Sequence, residues 1–444
     1  MGFEVMKKSL VLSLPLWVMV SSVSAQTLES AVMHTIESNP DILAAASERQ
    51  AVSKEIDQAK AGYYPTLDLA LGTGWEMTDN PNTRSAGRGE VRLNRDEASL
   101  QLRQMLFDGM ETKNEVLRQE FRTNSRASAV YSAAENTGLE AVDAYLNVLR
   151  QQKIVELAQT NLEAHQRTHD QIVLRSERGV GRGADMDQSL GRLALAEANL
   201  MEEESKLRDA ETTFIRVVGE PPESLEEPEI PENLIPDSLD AAIAKAVDNH
   251  PTLRLANFDL ESARAQHATA KAPFYPDLHL EVGTRADHNI DGQVGTDKDI
   301  TAMLRLRYNL LNGGRDSARR EETAYLINQA AEIRNNTYRE VEEGTRLSWN
   351  AWETVKSQMS YREQHVDSSQ KSRDAYRQQF SLGQRTLLDL LDSENEVFRA
   401  QTALVNTEYD ELYAQYRILN SMGLLLQGLN IKAPEAAETI AIKQ

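Results

Sequence analysis

Tyr64-Pro65-Thr66-Leu67-Asp68-Leu69-Ala70-Leu71-Gly72 returns 211 residues later as Tyr275-Pro276-Asp277-Leu278-His279-Leu280-Glu281-Val282-Gly283. Each copy alternates apolar and polar or small residues from the second position after the proline. That period of two is the pattern of a β-strand with unlike faces. Proline lacks a ladder donor and so belongs at or before the start of a strand. The stretch predicts one strand early in each half of a duplicated chain.

Working outward, the register holds. The offset of 211 also pairs Leu28-Glu29-Ser30-Ala31 with Leu239-Asp240-Ala241-Ala242, Asn39-Pro40 with His250-Pro251, and Ala59-Lys60-Ala61 with Ala270-Lys271-Ala272. Seven residues are then lost from the second half. Beyond them an offset of 204 pairs Leu102-Arg103 with Leu306-Arg307, Gly109 with Gly313, Gly179 with Gly383, Asp185 with Asp389, and Gly219 with Gly423. A constant register over so many positions is a tandem duplication, with repeats at 26–218 and 239–427. Residues 219–238 hold five prolines among many glutamates and read as a stiff acidic linker. Residues 428–444 read as a loose tail.

Each repeat carries the same elements: a helix broken at the Asn39-Pro40 position, two strands, a very long helix, a glycine-marked break and another helix. No proline lies between Pro81 and Pro221 or between Pro276 and Pro434. An interior proline costs a helix about 3 kcal/mol, so these gaps permit helices of unusual length. Gly109 to Arg178 would measure about 105 Å, far more than a compact domain needs. The helices after the breaks carry apolar heptads: Met186, Leu193, Leu200, Leu207 and Phe214, then Leu391, Phe398, Val405, Leu412 and Leu419. A sustained seven-residue period predicts coiled-coil seams. Glu197, Glu204 and Glu211 form a parallel stripe that suits a solvated face or the wall of an acidic lumen.

Four segments have the strand period. Leu67 to Trp75 and Leu278 to Val282 are the first strands. Ala98, Leu100, Leu102 and Leu106 alternate with Ser99, Gln101 and Arg103. Ile300, Ala302, Leu304, Leu306, Tyr308 and Leu310 alternate with Thr301, Arg305, Arg307 and Asn309. About ten residues each is the length of a tilted membrane strand, apolar outside and polar inside. Arg103, Glu281, Arg305 and Arg307 would then line a barrel lumen. Two amphipathic hairpins on a soluble sheet fit the same pattern. Four strands cannot close a pore alone, but three chains supplying four each can. The loops Met77 to Glu97 and Ala286 to Asp299 would lie outside the cell.

The remaining signals narrow the class. Lys7 and Lys8 precede an apolar run from Leu10 to Val20, and Val23-Ser24-Ala25 is a small-residue cleavage site, so residues 1–25 read as a signal peptide. After it no run of 18 apolar residues occurs, which leaves a closed barrel as the only membrane-spanning form. The formal charge is -21 with no basic block, unsuited to nucleic acid, and there are no cysteines. Gly179-Val180-Gly181-Arg182-Gly183 lacks the preceding strand and full spacing of a phosphate loop and reads as a hairpin turn. His165 and His169 lack the Glu of an HExxH motif and read as a helix-face pair. No nucleophile–base constellation stands out, so no enzyme activity, metal or cofactor is expected.

The duplicated halves, the Asn-Pro start of the first helix, the Tyr-Pro before each first strand, and Gly109 and Gly313 after each second strand together resemble the TolC-like outer membrane factors. The most specific piece is Leu382-Gly383-Gln384-Arg385-Thr386-Leu387-Leu388-Asp389-Leu390-Leu391-Asp392, which is similar to the family's motif at the second hairpin tip. The resemblance implies an α+β membrane protein: a homotrimer with a 12-stranded β-barrel in outer membrane lipid, continued by a long periplasmic α-helical barrel. It further implies partners, namely a periplasmic adaptor (membrane fusion protein) and an inner-membrane transporter of ABC or RND type. Type I protein secretion is the leading function and multidrug efflux the alternative. A soluble periplasmic coiled-coil scaffold is a remoter reading.

The same resemblance puts Arg385, Asp389 and Asp392 at a periplasmic constriction. Asp389 and Asp392 are three apart and share a helix face, so three-fold symmetry would gather six carboxylates around one axis. Arg385 is expected to bridge to a neighbouring helix, with Asp185, the first-repeat match of Asp389, as a candidate partner. Aspartate after a glycine break also suits plain helix capping. Phe380 stands where the family often has a tyrosine, which would remove one hydrogen bond from the lock.

Overall fold

Asn39 decides how the described chain begins. In the computed structural model, which describes residues 26–179, 182–228 and 234–442, Asn39 ends helix α1 (Leu28–Ser38) and starts α2 (Pro40–Lys60). Its side chain accepts the Asp41 amide, and Pro40 takes the first helical position, where no donor is needed. The second repeat does the same with His250 between α6 (Leu239–Asn249) and α7 (Pro251–Thr269). The leader, Val180, Gly181, residues 229–233 and the last two residues lie outside the described set.

The proline-free stretches form the two longest helices, α4 (Glu111–Glu177) and α8 (Arg315–Ser381), of 67 residues each, or about 100 Å. The helices that return from the far tips are α5 (Gly183–Val218) and α9 (Leu387–Ser421). Near the sheet α4 packs against α2 and α7, and α7 packs against α8. Farther away α4 packs against α5 and α9, and α9 against α8. The lateral order is therefore α2-α4-α7-α8 near the sheet and α5-α4-α9-α8 toward the tips. In the heptad rows Leu193, Phe214, Leu391 and Leu419 are buried, while Met186, at the open end of α5, is exposed. Of the glutamate stripe, Glu197 and Glu204 are exposed and Glu211 is half-buried.

The main core sits midway along the long helices. Tyr145, Phe214, Tyr416, Leu419 and Met422 pack there with Leu28, Val32 and Ile42 of the broken first helix. The Tyr145 hydroxyl donates to the carbonyls of Gln26 or Glu226 at 2.7 Å and accepts the Glu226 amide at 3.0 Å, so it pins the acidic linker onto α4. The tail is tied down as well. A short helix α10 (Leu425–Gly428) follows α9, and the Asn124 carboxamide both accepts from and donates to the Ile440 backbone. Composition reads the tail as loose because it has little regular structure, but side chains of α4 hold it.

Strands β1 (Thr66–Thr78), β2 (Val91–Phe107), β3 (Asp277–His288) and β4 (Thr296–Arg307) form one antiparallel sheet in chain order. A short helix, α3 (Pro81–Ser85), lies in the first loop. The strands run farther into the loops than the apolar alternation indicates, to Thr78 and from Val91. There charged side chains stand on both faces, Arg92 on one and Arg95 on the other, the latter paired to Glu76 at 2.6 Å. Backbone pairing continues where side-chain periodicity has no lipid to answer to. Conversely, β4 ends at Arg307, short of Tyr308 and Leu310.

Register sorts the faces. Leu67, Leu102, Val282 and Ala302 lie in one row across the sheet, and Leu69, Leu100, Thr284 and Ile300 in the next. Arg103 opposes Glu281, and His279 opposes Arg305, on the other face. Neither face is covered: Leu69 is 67% exposed, Leu304 65% and Ile300 81%. A soluble sheet would bury its leucine face on helices. No helix among the described residues is long and apolar enough to cross a membrane, so the sheet is the element suited to lipid.

Candidate functional site

At the far end of the long helices, two hairpin tips meet. Helix α8 stops as Gly383 turns left-handed (φ +73°) and Gln384 donates to the Gln379 carbonyl. Helix α9 starts with a reciprocal cap. Thr386 Oγ1 accepts the Asp389 amide at 3.3 Å, and Asp389 accepts the Thr386 amide at 3.2 Å and its hydroxyl at 2.8 Å. These bonds, the Thr386 hydroxyl's foremost, hold the Asp389 carboxyl below the usual carboxylate range, with Arg385 adding to the effect. The capping reading of Asp389 therefore describes its bonds within the protomer.

Arg385 folds back across its own turn. Its guanidinium lies 4.4 Å from the centre of the Tyr376 ring, Nε donates to Gln379 at 3.0 Å, and Nη1 stands 3.9 Å from Asp389. Within one protomer it does not reach α5. Asp185 sits in the first turn of α5, its amide bonded to the Arg182 carbonyl, and the fold of a single chain does not bring it to Arg385.

Asp392 and Phe380 face the other hairpin. Arg192 of α5 donates to Asp392 at 2.5 Å. Phe380 packs with Ile172, Leu387 and Leu391 in a small apolar cluster shared by α4, α8 and α9. The Arg175 guanidinium lies 5.1 Å from the Phe380 ring centre. Where a tyrosine would offer a hydroxyl, this chain offers an aromatic face to a cation.

The next residues of α9 reach α8 and α4 in turn. Glu394 is almost wholly buried and accepts from Arg373 and Arg377 of α8. Asn395 meets His165 of α4 at 3.4 Å, and Glu396 meets His365 of α8 at 3.0 Å. His165 and His169 are drawn apart, since His169 bonds Ser189 of α5. Burial holds the His165 imidazole below its ordinary range. Sequence reasoning missed Arg175, Arg192 and Tyr376. Only the four-residue spacing of Arg373 and Arg377 hints at a shared acidic partner.

At the other end, Glu281 accepts from Arg305 Nε at 2.7 Å, with Arg103 directly across the ladder. Arg307 opposes Asp277. All four residues predicted for a lumen thus share the polar face.

Residues 32–220 and 242–424, the two repeats without the linker, match the model of the family described as Outer membrane efflux protein. The chain belongs to that family. It is similar to the outer membrane efflux protein BepC of Brucella suis, 25% identical over 403 residues, covering 90% of this chain and 86% of that one. It is also similar to the outer membrane protein TolC of Escherichia coli, at 26% identity, with 87% of this chain and 80% of that one covered. The alkaline protease secretion protein AprF of Pseudomonas aeruginosa is 24% identical, with 88% and 83% covered. Among solved structures CusC shares the fold, with a TM-score of 0.77 at 14% identity and 89% and 91% of the chains covered.

Like the outer membrane factors it groups with, this efflux-family chain is an outer membrane channel whose helices extend into the periplasm. That placement sets aside the soluble scaffold. Members of the family are channels rather than enzymes.

Proposed function

We propose that three copies of this chain close a 12-stranded barrel and form a passive exit duct for type I protein secretion, driven by an inner-membrane transporter through a periplasmic adaptor. The observation that carries the reading is the sheet itself: β1 and β4 are unpaired edges, and the apolar face is bare. Unpaired edges are not tolerated in lipid, and joining β4 of one copy to β1 of the next removes them. The same closure sets α8 beside the neighbouring copy's α5, because these are the outer members of the order α5-α4-α9-α8.

Secretion rather than efflux is supported by the likeness, over 88% of this chain, to a protein named for alkaline protease secretion. The similar identity to a protein named for efflux keeps multidrug export as the second reading. Deleting the gene and assaying secreted protein and drug sensitivity side by side tests the choice. Loss of secretion with unchanged drug tolerance is expected, and the reverse pattern would reject it.

In this duct Arg103, Glu281, Arg305 and Arg307 line the lumen in the membrane, and the tips close the periplasmic end. Asp389 and Asp392 from three copies ring the axis, and Arg385 swings to Asp185 of the neighbouring copy in the closed state. Arg385→Ala and Asp389→Ala should raise resting single-channel conductance in lipid bilayers. Unchanged conductance in both would remove the gate.

A further inference from the structure

We propose that the mature chain begins at Gln26 and that the fold keeps this glutamine from closing into an N-terminal lactam, because the acidic linker holds its side chain open. The leader motif ending in Val23-Ser24-Ala25 leaves Gln26 as the first residue after cleavage. A free N-terminal glutamine reacts with itself. Its amine attacks Cδ of its own carboxamide, and the new N–Cδ bond closes a five-membered ring. The Cδ–Nε2 bond breaks and ammonia leaves. No oxidant or second reactant takes part.

In the folded chain both ends of that carboxamide are engaged. Nε2 donates to Glu220 Oε1 at 2.8 Å, and Oε1 accepts the Glu223 amide at 3.2 Å. Ring closure needs the carboxamide folded back over its own nitrogen, so both bonds must open first. The lactam also has no Nε2 left to give to Glu220.

The backbone is no freer. The Gln26 carbonyl is an acceptor for the Tyr145 hydroxyl at 2.7 Å and for the Glu226 amide at 3.3 Å, in a parallel bridge with Leu225. One residue on, Thr27 caps α1, and Leu28 is buried in the main core. Gln26 is therefore fixed from the core side and the linker side at once. The linker is fixed in turn, since Glu227 pairs with Lys153 of α4. Charge points the same way. Glu220, Glu223, Glu226 and Glu227 suit the ammonium group that cleavage creates.

The test purifies the assembled protein from outer membranes in detergent. Its intact mass is read at once and after days at neutral pH, beside the same protein unfolded in guanidinium chloride. The first mass should be that of a chain starting at Gln26 with no ammonia lost. The unfolded chain should then lose one ammonia steadily. The assembled chain should do so about thirtyfold more slowly, the factor expected when two hydrogen bonds must open. Glu220→Ala with Glu223→Pro removes both partners of the carboxamide. That double variant, checked for heat-stable assembly on gels, should cyclise nearly as fast as the unfolded chain, and Glu220→Ala alone should show part of the gain. A different first residue, a chain already short of one ammonia when isolated, or equal rates in folded and unfolded protein would each overturn the proposal. A double variant as slow as wild type would overturn the linker's part in it.

Discussion

The Glu135 carboxylate, buried in the middle of α4, accepts the backbone amide of Leu425 at 3.0 Å through one oxygen and that of Leu426 at 3.1 Å through the other. A side chain of the first repeat thereby caps the chain reversal that ends the second. Burial pushes its pKa up to about 7 in spite of those two donors, the Tyr131 hydroxyl and Arg254.

A raised carboxyl pKa means that the folded state binds more protons than the unfolded one between the ordinary value of 4.5 and about 7. Stability from this group is complete below pH 4.5 and is lost as pH rises through 7. The limit is about 3 kcal/mol. Thermal unfolding followed across that range should show a falling trend that Glu135→Gln flattens. Glu135→Ala, which leaves two buried amides unpaired, should flatten the trend too and destabilise by about 2–4 kcal/mol at low pH, and by less as pH rises through 7.

Leu69 and Gln101 sit on opposite faces of the same sheet. Leu69→Arg puts a charge on the bare apolar face, at a cost of about 2–4 kcal/mol if it lies near the bilayer midplane. Outer membrane fractions should lose the heat-stable oligomer in that variant and keep it in Gln101→Arg, which adds charge to the face that is already polar.

Gly109 and Gly313 are repeat partners with different demands. Both have positive φ, +67° and +70°, so alanine costs about 1 kcal/mol at either. A Cβ at Gly109 would stand 2.6 Å from the Ala272 carbonyl oxygen, whereas at Gly313 nothing lies within 4 Å in the protomer. Gly109→Ala should therefore lower the thermal midpoint of disassembly by clearly more than Gly313→Ala.

Asn124 holds the Ile440 backbone in both directions, at 2.8 and 3.0 Å. Asn124→Ala should free the C-terminal segment, and limited proteolysis should cut between Asn430 and Ile442 faster while the long helices stay intact.

The site was legible to unequal degrees. Capping by Asp389 was readable, because it depends on one turn of backbone, but not that Thr386 is the cap residue and Asp389 its reciprocal partner. The polar sheet face was readable because alternation along a strand fixes which side chains share a face, and the structure keeps Arg103, Glu281, Arg305 and Arg307 together. The pairing of Arg192 with Asp392 was not. The two are 200 positions apart, and nothing local marks either as the other's partner. Phe380 looked like the loss of a hydrogen bond, and only the placement of Arg175 over its ring makes it the floor of a different contact.

Sequence alone indicated the duplication, the kinds of elements and the great length of α4 and α8, because hydrophobic period, proline gaps and turn glycines act over a few residues at a time. Tertiary structure decided which helices are neighbours, that Arg385 lies back on Tyr376, and that the tail is strapped to α4. Those contacts depend on the rotational phase of helices 35 to 67 residues long. A drift of about 20° per heptad carries a side chain to another face over about four to five heptads, so packing has to fix that phase.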